Sequence, residues 1–215
     1  MNASCHLVIR LSLLLFICLP ELTFAQKKLQ ETFDAKNLKQ LIIESDEIFA
    51  IEITTAPMQE VIISTKIEGE SSTQTILHTN INRDRLEITT GKTADYIAID
   101  DKLAAHKVLS VVLRITIPEG MDLVVSSTLA QLSVVGIIGN LQAVLGRGDC
   151  LVEALGFRES ININTISGSI HIKTPPANLV ANSRNGDVLL PEEIGGFRNI
   201  SLGSVHGNIV VEKQL

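Results

Sequence analysis

From Leu123 onward the chain alternates apolar and variable positions in short triplets that recur about every nine residues: LVVSSTLAQ from 123, LSVVGIIGN from 132, LQAVLGRGD from 141 and CLVEALGFRES from 150. ININTISGS, IHIKTPPAN, LVANSRNGD, VLLPEEIGGFRN, ISLGSVHGN and IVVEKQL follow from 161, 170, 179, 188, 200 and 209. The first position is always Leu, Ile, Val or Cys, the third always Val, Ile, Leu or Ala, and the second is unrestricted. Apolar–variable–apolar is the period-2 mark of a short strand with one face buried. Five units close on Gly139-Asn140, Gly148-Asp149, Gly168-Ser169, Gly186-Asp187 and Gly207-Asn208. That is turn chemistry, because glycine accepts positive φ and a short polar side chain can bond nearby backbone. Strands and turns at this spacing leave no room for helices and predict a β-solenoid, each coil covering its neighbour's apolar face. The two longer units, of 11 residues from Cys150 and 12 from Val188, lie four units apart and so fall on one side if a coil holds two units but on different sides if it holds three. Gly148, Gly168, Gly186 and Gly207, recurring at 20, 18 and 21, also favour about two, and two or three faces per coil are expected.

Upstream, residues 29–120 are strand-rich without the strict unit. Leu41–Glu44, Ile48–Thr54, Val61–Ile67, Arg85–Thr90 and Val108–Ile117 read as strands. Residues 91–107 read as a polar connection with a short helical turn at Asp101–His106. This half is expected to be the irregular leading end of the solenoid, its polarity opposing end-to-end stacking with another molecule. The alternative is a separate small β-domain.

Residues 1–25 carry the three parts of a secretory signal. Arg10 precedes the apolar run Leu11–Leu19, Pro20 and Glu21 end it, and Thr23-Phe24-Ala25 offers small residues for cleavage. Nine apolar residues are too few to span a bilayer, and no second long apolar run follows. The expectation is an exported chain of about 190 residues (215 minus 25), 26–215, folding as one domain with no transmembrane segment after signal removal. Its location would be periplasmic, cell-surface or extracellular.

Composition narrows the functional classes. Apolar residues make up 45% of the chain, sufficient for a core, and the net charge of −6 lacks the footprint of a nucleic-acid binder. There is no Trp, and beyond the signal only Phe33, Phe49, Tyr96, Phe157 and Phe197 are aromatic, which argues against stacking platforms for bases or sugars. Cys5 and Cys18 lie within the signal, leaving Cys150 alone, so no internal disulfide can form in the exported chain.

Repeated G-[DSN]-[IVL]-x-[IVL] strands, as in SGSIHIKT, NGDVLLPE and HGNIVVEK, resemble the bacterial putative-adhesin domain family of unknown function, close to the head domains of auto-transporter adhesins. The resemblance extends to LIIESDEIFAIEITTAPMQEVIISTKIEGE and to the IP-x-G junction in VLSVVLRITIPEGMDL, covering about 33–215. It implies a right-handed β-solenoid, parallel β-helix-like, on an exported bacterial protein, and it brings no catalytic residues.

Each candidate chemistry has a structural alternative. Arg147-Gly148-Asp149 spells the tripeptide of integrin ligands but falls at a repeat turn. Cys150 could be a nucleophile but occupies a core position of its unit. His78, His106, His171 and His206 have no zinc spacing. Asp95, Asp100 and Asp101 form a local acidic cluster of the kind that holds calcium, without a calcium nonapeptide. Asn162 and Asn164 should face solvent and pair with polar side chains of adjacent coils. Lys27-Lys28 is too small for a membrane patch.

The sequence therefore predicts no catalytic, cofactor-binding or metal site. It predicts a non-enzymatic, adhesin-like interaction platform or structural element of the cell envelope, with an unknown envelope protein or glycan as partner. The alternatives are a carbohydrate-active β-helix enzyme or a periplasmic envelope-stress or signalling accessory.

Overall fold

The computed structural model describes residues 27–69, 75–94, 109–192 and 195–214. The signal segment 1–25 and Asp95, Tyr96, Asp100, Asp101 and His106, with their expected helical turn, lie outside the described residues.

All regular structure among the described residues is β. The strands are β1 (Lys27–Asp34), β2 (Gln40–Glu44), β3 (Ile48–Ala56), β4 (Glu60–Gly69), β5 (Thr75–Asn82), β6 (Arg85–Lys92), β7 (Leu109–Pro118), β8 (Asp122–Ser127) and β9 (Gln131–Ile137). They continue with β10 (Leu141–Leu145), β11 (Cys150–Gly156), β12 (Ser160–Thr165), β13 (Ile170–Thr174), β14 (Asn178–Ser183), β15 (Val188–Leu189), β16 (Asn199–Ser204) and β17 (Ile209–Lys213). Every triplet read from the sequence starts inside one of the strands β8 to β17, and β1 and β5 are additional to the strands expected upstream.

Two sheets result, ordered β1-β4-β7-β3-β9-β11-β13-β17-β15 and β14-β16-β12-β10-β8-β2-β6-β5. From β8 onward successive strands alternate between the sheets, so each pair such as β8/β9 or β10/β11 makes one layer. Within a sheet the layers pair in parallel. The sheets are mixed: strands β8 to β17 pair in parallel, whereas in the less regular leading part β1 with β4, β4 with β7 and β5 with β6 are antiparallel. Antiparallel neighbours can be joined by short connections, so the leading segment finishes its end of the stack with local strands.

The layers do not stack in chain order. β16 pairs with β12 on one side and β14 on the other, and β17 lies between β13 and β15. The last layer of the chain is thus internal, and β14/β15 forms the outer end. The first layer is treated likewise: β2 lies between β6 and β8, and β3 between β7 and β9. Layers are spaced about 4.8 Å apart. The long unit from Val188 contains the connection by which the chain steps back over one layer before β16 begins.

In-register stacking makes the core. Leu86, Leu41, Leu123, Leu141, Ile161, Ile200 and Leu179 form one inward row. Leu113, Ile51, Leu132, Cys150, Ile170, Ile209 and Val188 form its counterpart in the facing sheet. Both rows belong to or pack on one buried cluster, and only their β14/β15 members, Leu179 and Val188, are partly buried. Full burial of a Leu or Ile contributes about 1.5–3 kcal/mol, so stability is spread over many similar contacts.

The turns stack as tightly. A Cβ at Gly168 would sit 1.9 Å from the Gly148 carbonyl oxygen, and one at Gly207 would sit 2.0 Å from that of Gly168, so only glycine permits this approach. Beside them Asp149 Oδ1 accepts the Ser169 N–H at 2.8 Å, and Asn208 Oδ1 accepts that of Asp187 at 2.9 Å. Asp149 and Asn208, each directly after a turn glycine, thus cap a backbone donor in the neighbouring layer.

Candidate interaction surfaces

First and third positions point inward, except Leu190 of the outermost unit, which is exposed, so second and fourth positions build two outer faces. On the face made by β7, β3, β9, β11, β13 and β17, Arg114 Nε reaches Glu52 Oε2 at 2.8 Å, Lys173 Nζ lies 3.6 Å from Glu153 Oε1, and His171 Nε2 lies 3.0 Å from Glu212 Oε1. These pairs link neighbouring layers, and their exposure limits each to about 0–1 kcal/mol. The result is a charged face with acids and bases interspersed.

The opposite face is largely uncharged. Gln142, Asn162, Ser201 and Val180 lie in one register row, and Val144, Asn164, Gly203 and Asn182 in the next. Asn164 Nδ2 donates to Asn162 Oδ1 at 2.8 Å, so the two asparagines bond along their strand and not across layers, contrary to the sequence expectation. Across the layer, Asn164 Oδ1 fills the space above Gly203, 2.6 Å from where a Cβ would stand. A shallow depression of about 330 Å³ opens there, bordered by Val144, Asn164, Asn182 and Val205. The lining sets the amides of Asn164 and Asn182 among exposed apolar side chains, Val144 and Ile166.

A larger groove of about 720 Å³ runs along one edge, past Arg158, Glu159, Pro176, Phe197 and Arg198. Phe197 is fully exposed. The two arginines have structural partners: Arg158 Nη2 donates to the Gly120 carbonyl at 2.7 Å and Nη1 lies 3.3 Å from Asp122 Oδ1, while the Arg198 guanidinium sits 5.4 Å from the Phe157 ring centroid. Sequence reasoning did not find this groove. Its walls come from an insertion and from turns far apart in the chain.

The residues singled out in the sequence are dispersed. The Asp149 carboxylate of the Arg-Gly-Asp triplet is held by the next layer's backbone. Cys150 is buried at 1% exposure, where loss of solvation and, secondarily, the nearby Asp149 charge push its thiol up to about 12. A thiol so placed is a poor nucleophile. His171 pairs with Glu212, His206 Nδ1 lies 3.1 Å from Asn185 Nδ2, and His78 lies against Gly91. Lys28 is exposed on β1. Among the described residues no cluster of His, Cys, Asp or Glu is arranged to hold a metal ion.

A local acidic depression, not noticed in the sequence, gathers Glu44, Asp46 and Glu47. Asp46 accepts from both the backbone and the hydroxyl of Thr128, and Glu47 Oε1 lies 2.7 Å from Lys92 Nζ. These two acids are therefore tied into the fold. No helix among the described residues is long and apolar enough to cross a membrane.

This arrangement of two mixed sheets has a counterpart among solved bacterial proteins. A solved "putative cell adhesion protein" from Clostridium sporogenes superposes with a TM-score of 0.64 at 10% identity, over 88% of this chain and all of that one. A "putative adhesin" from Bacteroides fragilis aligns over 87% of this chain and 97% of its own at 10% identity, with a TM-score of 0.33. The resemblance read from the repeated strands thus has a structural counterpart in the fold of the Clostridium sporogenes protein. No family model and no curated protein matches the chain.

Proposed function

We propose that this chain is an exported, non-enzymatic, adhesin-like module in which residues 26–215 form one right-handed β-solenoid domain. Its outer faces present side chains to a protein or glycan of the cell envelope. The observation that carries this reading is the division of labour between positions. First and third residues of the triplets are consumed by the core in every layer but the outermost, where Leu179, Ala181 and Val188 are partly buried and Leu190 is exposed. The second and fourth are left outside in register, as in the Gln142–Asn162–Ser201 row. A surface of repeated, rigidly spaced side chains is suited to recognition. The likeness to a "putative cell adhesion protein" agrees with this, though a shared fold alone carries only analogy.

The test is capture from envelope extract and from a glycan library, comparing the purified protein with an Asn162→Lys/Asn164→Lys variant and with Ile163→Asp as an unfolded control. The reading expects a saturable ligand lost in the control and weakened in the face variant, whose melting curve should match wild type. No ligand in either source, or turnover of a polysaccharide by the folded protein, would contradict it.

A further inference from the structure

The two ends of the stack are finished differently. At one end the outer strands are β1 and β5. β1 brings Lys28, Glu31 and Asp34 there, and Thr79 Oγ1 donates to Glu31 Oε2 at 2.9 Å, joining the two sheets. Charges on outer strands are the usual protection against unwanted pairing. At the other end the outer strands are β14 and β15. β15 is two residues long and soon followed by Pro191, but β14 is six residues, NLVANS, with no charge, no proline and no bulge in its pairing.

The free edge of β14 can be assigned residue by residue. Asn178 N–H bonds the Arg198 carbonyl at 2.7 Å and Arg184 N–H bonds that of Ser204 at 3.0 Å. A parallel ladder uses every second residue, so residues 178, 180, 182 and 184 face β16. Leu179, Ala181 and Ser183 therefore turn their N–H and C=O groups to the edge, where no strand among the described residues pairs with them. The side chains of Leu179, Ala181 and Val188 are only partly buried, whereas their counterparts Ile200, Leu202 and Ile209 in the next layer are at most 2% exposed. Hydrogen-bonding groups and apolar surface are left unfinished at the same place.

We propose that this end is a self-association surface: a second copy of the chain adds β14 to β14, antiparallel, about a two-fold axis through Ala181. The register follows from the edge groups. Hydrogen-bonded antiparallel pairs need both residues facing the seam, which places Ala181 opposite Ala181 and Leu179 opposite Ser183. Arg184 then faces Asn178, so no like charges meet. On the inward side Leu179 then meets Ser183 of the second copy, and the partly buried Ala181 meets its own counterpart. A closed two-fold pair uses the uncharged end twice and leaves the charged β1 end free, which a head-to-tail chain would not. The inference stands independently of the ligand proposed above.

The test is sedentation-based mass measurement by analytical ultracentrifugation over a concentration series, with two variants. Ala181→Pro removes an N–H that only the partner uses, and proline is tolerated where a strand's N–H faces outward. Val180→Lys places a charge on a residue already 64% exposed and leaves the backbone intact. The expected result is a wild-type dimer whose dissociation constant rises about tenfold or more in each variant, while melting of the monomer is unchanged. An Ala181→Cys variant should also form a disulfide-linked dimer on oxidation, since facing residues lie about 5.5 Å apart. A wild-type monomer at every concentration, or a dimer indifferent to both variants, would overturn the proposal. So would an edge that accepts only an extended peptide of another protein.

Discussion

Thr165 and Ser204 meet inside the protein with their hydroxyls 3.0 Å apart, and both donate to the carbonyl of Gly168, at 2.6 and 3.1 Å. Thr165 ends β12 and Ser204 ends β16, so this contact locks the last layer of the chain directly onto β12 and over the strands that precede it in sequence. Ser204 Oγ also accepts the Gly207 N–H at 2.8 Å, holding the turn. Ser204→Ala would leave that buried N–H without its acceptor. It is expected to lower stability by about 1–3 kcal/mol in denaturant titration.

The glycine stack predicts a sharp contrast. Gly168→Ala would put a Cβ into the Gly148 carbonyl and should cost about 3 kcal/mol or more, because the obstacle is backbone. Nothing lies within 4 Å of a Cβ at Gly195, so Gly195→Ala should shift the melting temperature little.

Facing along a strand is testable with charge. Ile163 is fully buried and Asn162, its neighbour, is exposed. Ile163→Asp should abolish folding, since an unpaired carboxylate cannot be solvated there. Asn162→Asp should be tolerated, its oxygen still accepting from Asn164. Circular dichroism of the two variants decides, and equal sensitivity would refute the facing.

Cys150 sets an alkaline limit. Its thiol is pushed up to about 12 in the folded protein, so above the ordinary value of 9.0 the unfolded chain gives up a proton that the native one keeps. The unfolded state then binds fewer protons and stability falls as pH rises between about 9 and 12. Cys150→Ser should flatten this part of the curve, and the native thiol should resist alkylation at pH 8 until denaturant is added.

For the Arg-Gly-Asp triplet, the carboxylate is already spent on Ser169. Asp149→Glu is expected to leave integrin-dependent cell attachment unchanged, while Asp149→Ala should reduce stability through the uncapped N–H.

The triplets revealed strands β8 to β17 and their buried faces because period 2 and glycine turns are local properties, stated residue by residue. The layer order was not legible. Ile161, Ile200 and Leu179 are equivalent first-position residues, and nothing in a triplet says which neighbour it will stack on. The order is decided by nonlocal fits such as Thr165 with Ser204 and by the length of the connection after Val188. β1 and β5 escaped notice for a related reason: strands at the ends of the stack bury fewer residues, so Leu29 and Ile81 are exposed and the alternation is weak. The edge groove at Phe197 and Arg198 likewise depends on layers brought together only by folding.

Every surface assigned to this protein depends on that layer order. The most direct measurement is a pair of engineered cysteine cross-links on the outer face. Asn162 and Ser201 are direct partners across β12 and β16, whereas Asn162 and Val180 are separated by a whole strand. Asn162→Cys with Ser201→Cys should oxidise readily to a disulfide in the folded protein, because adjacent strands lie about 4.8 Å apart, within disulfide reach. Asn162→Cys with Val180→Cys, about 10 Å apart, should remain reduced. The opposite pattern would show that the layers stack in chain order and would contradict this account.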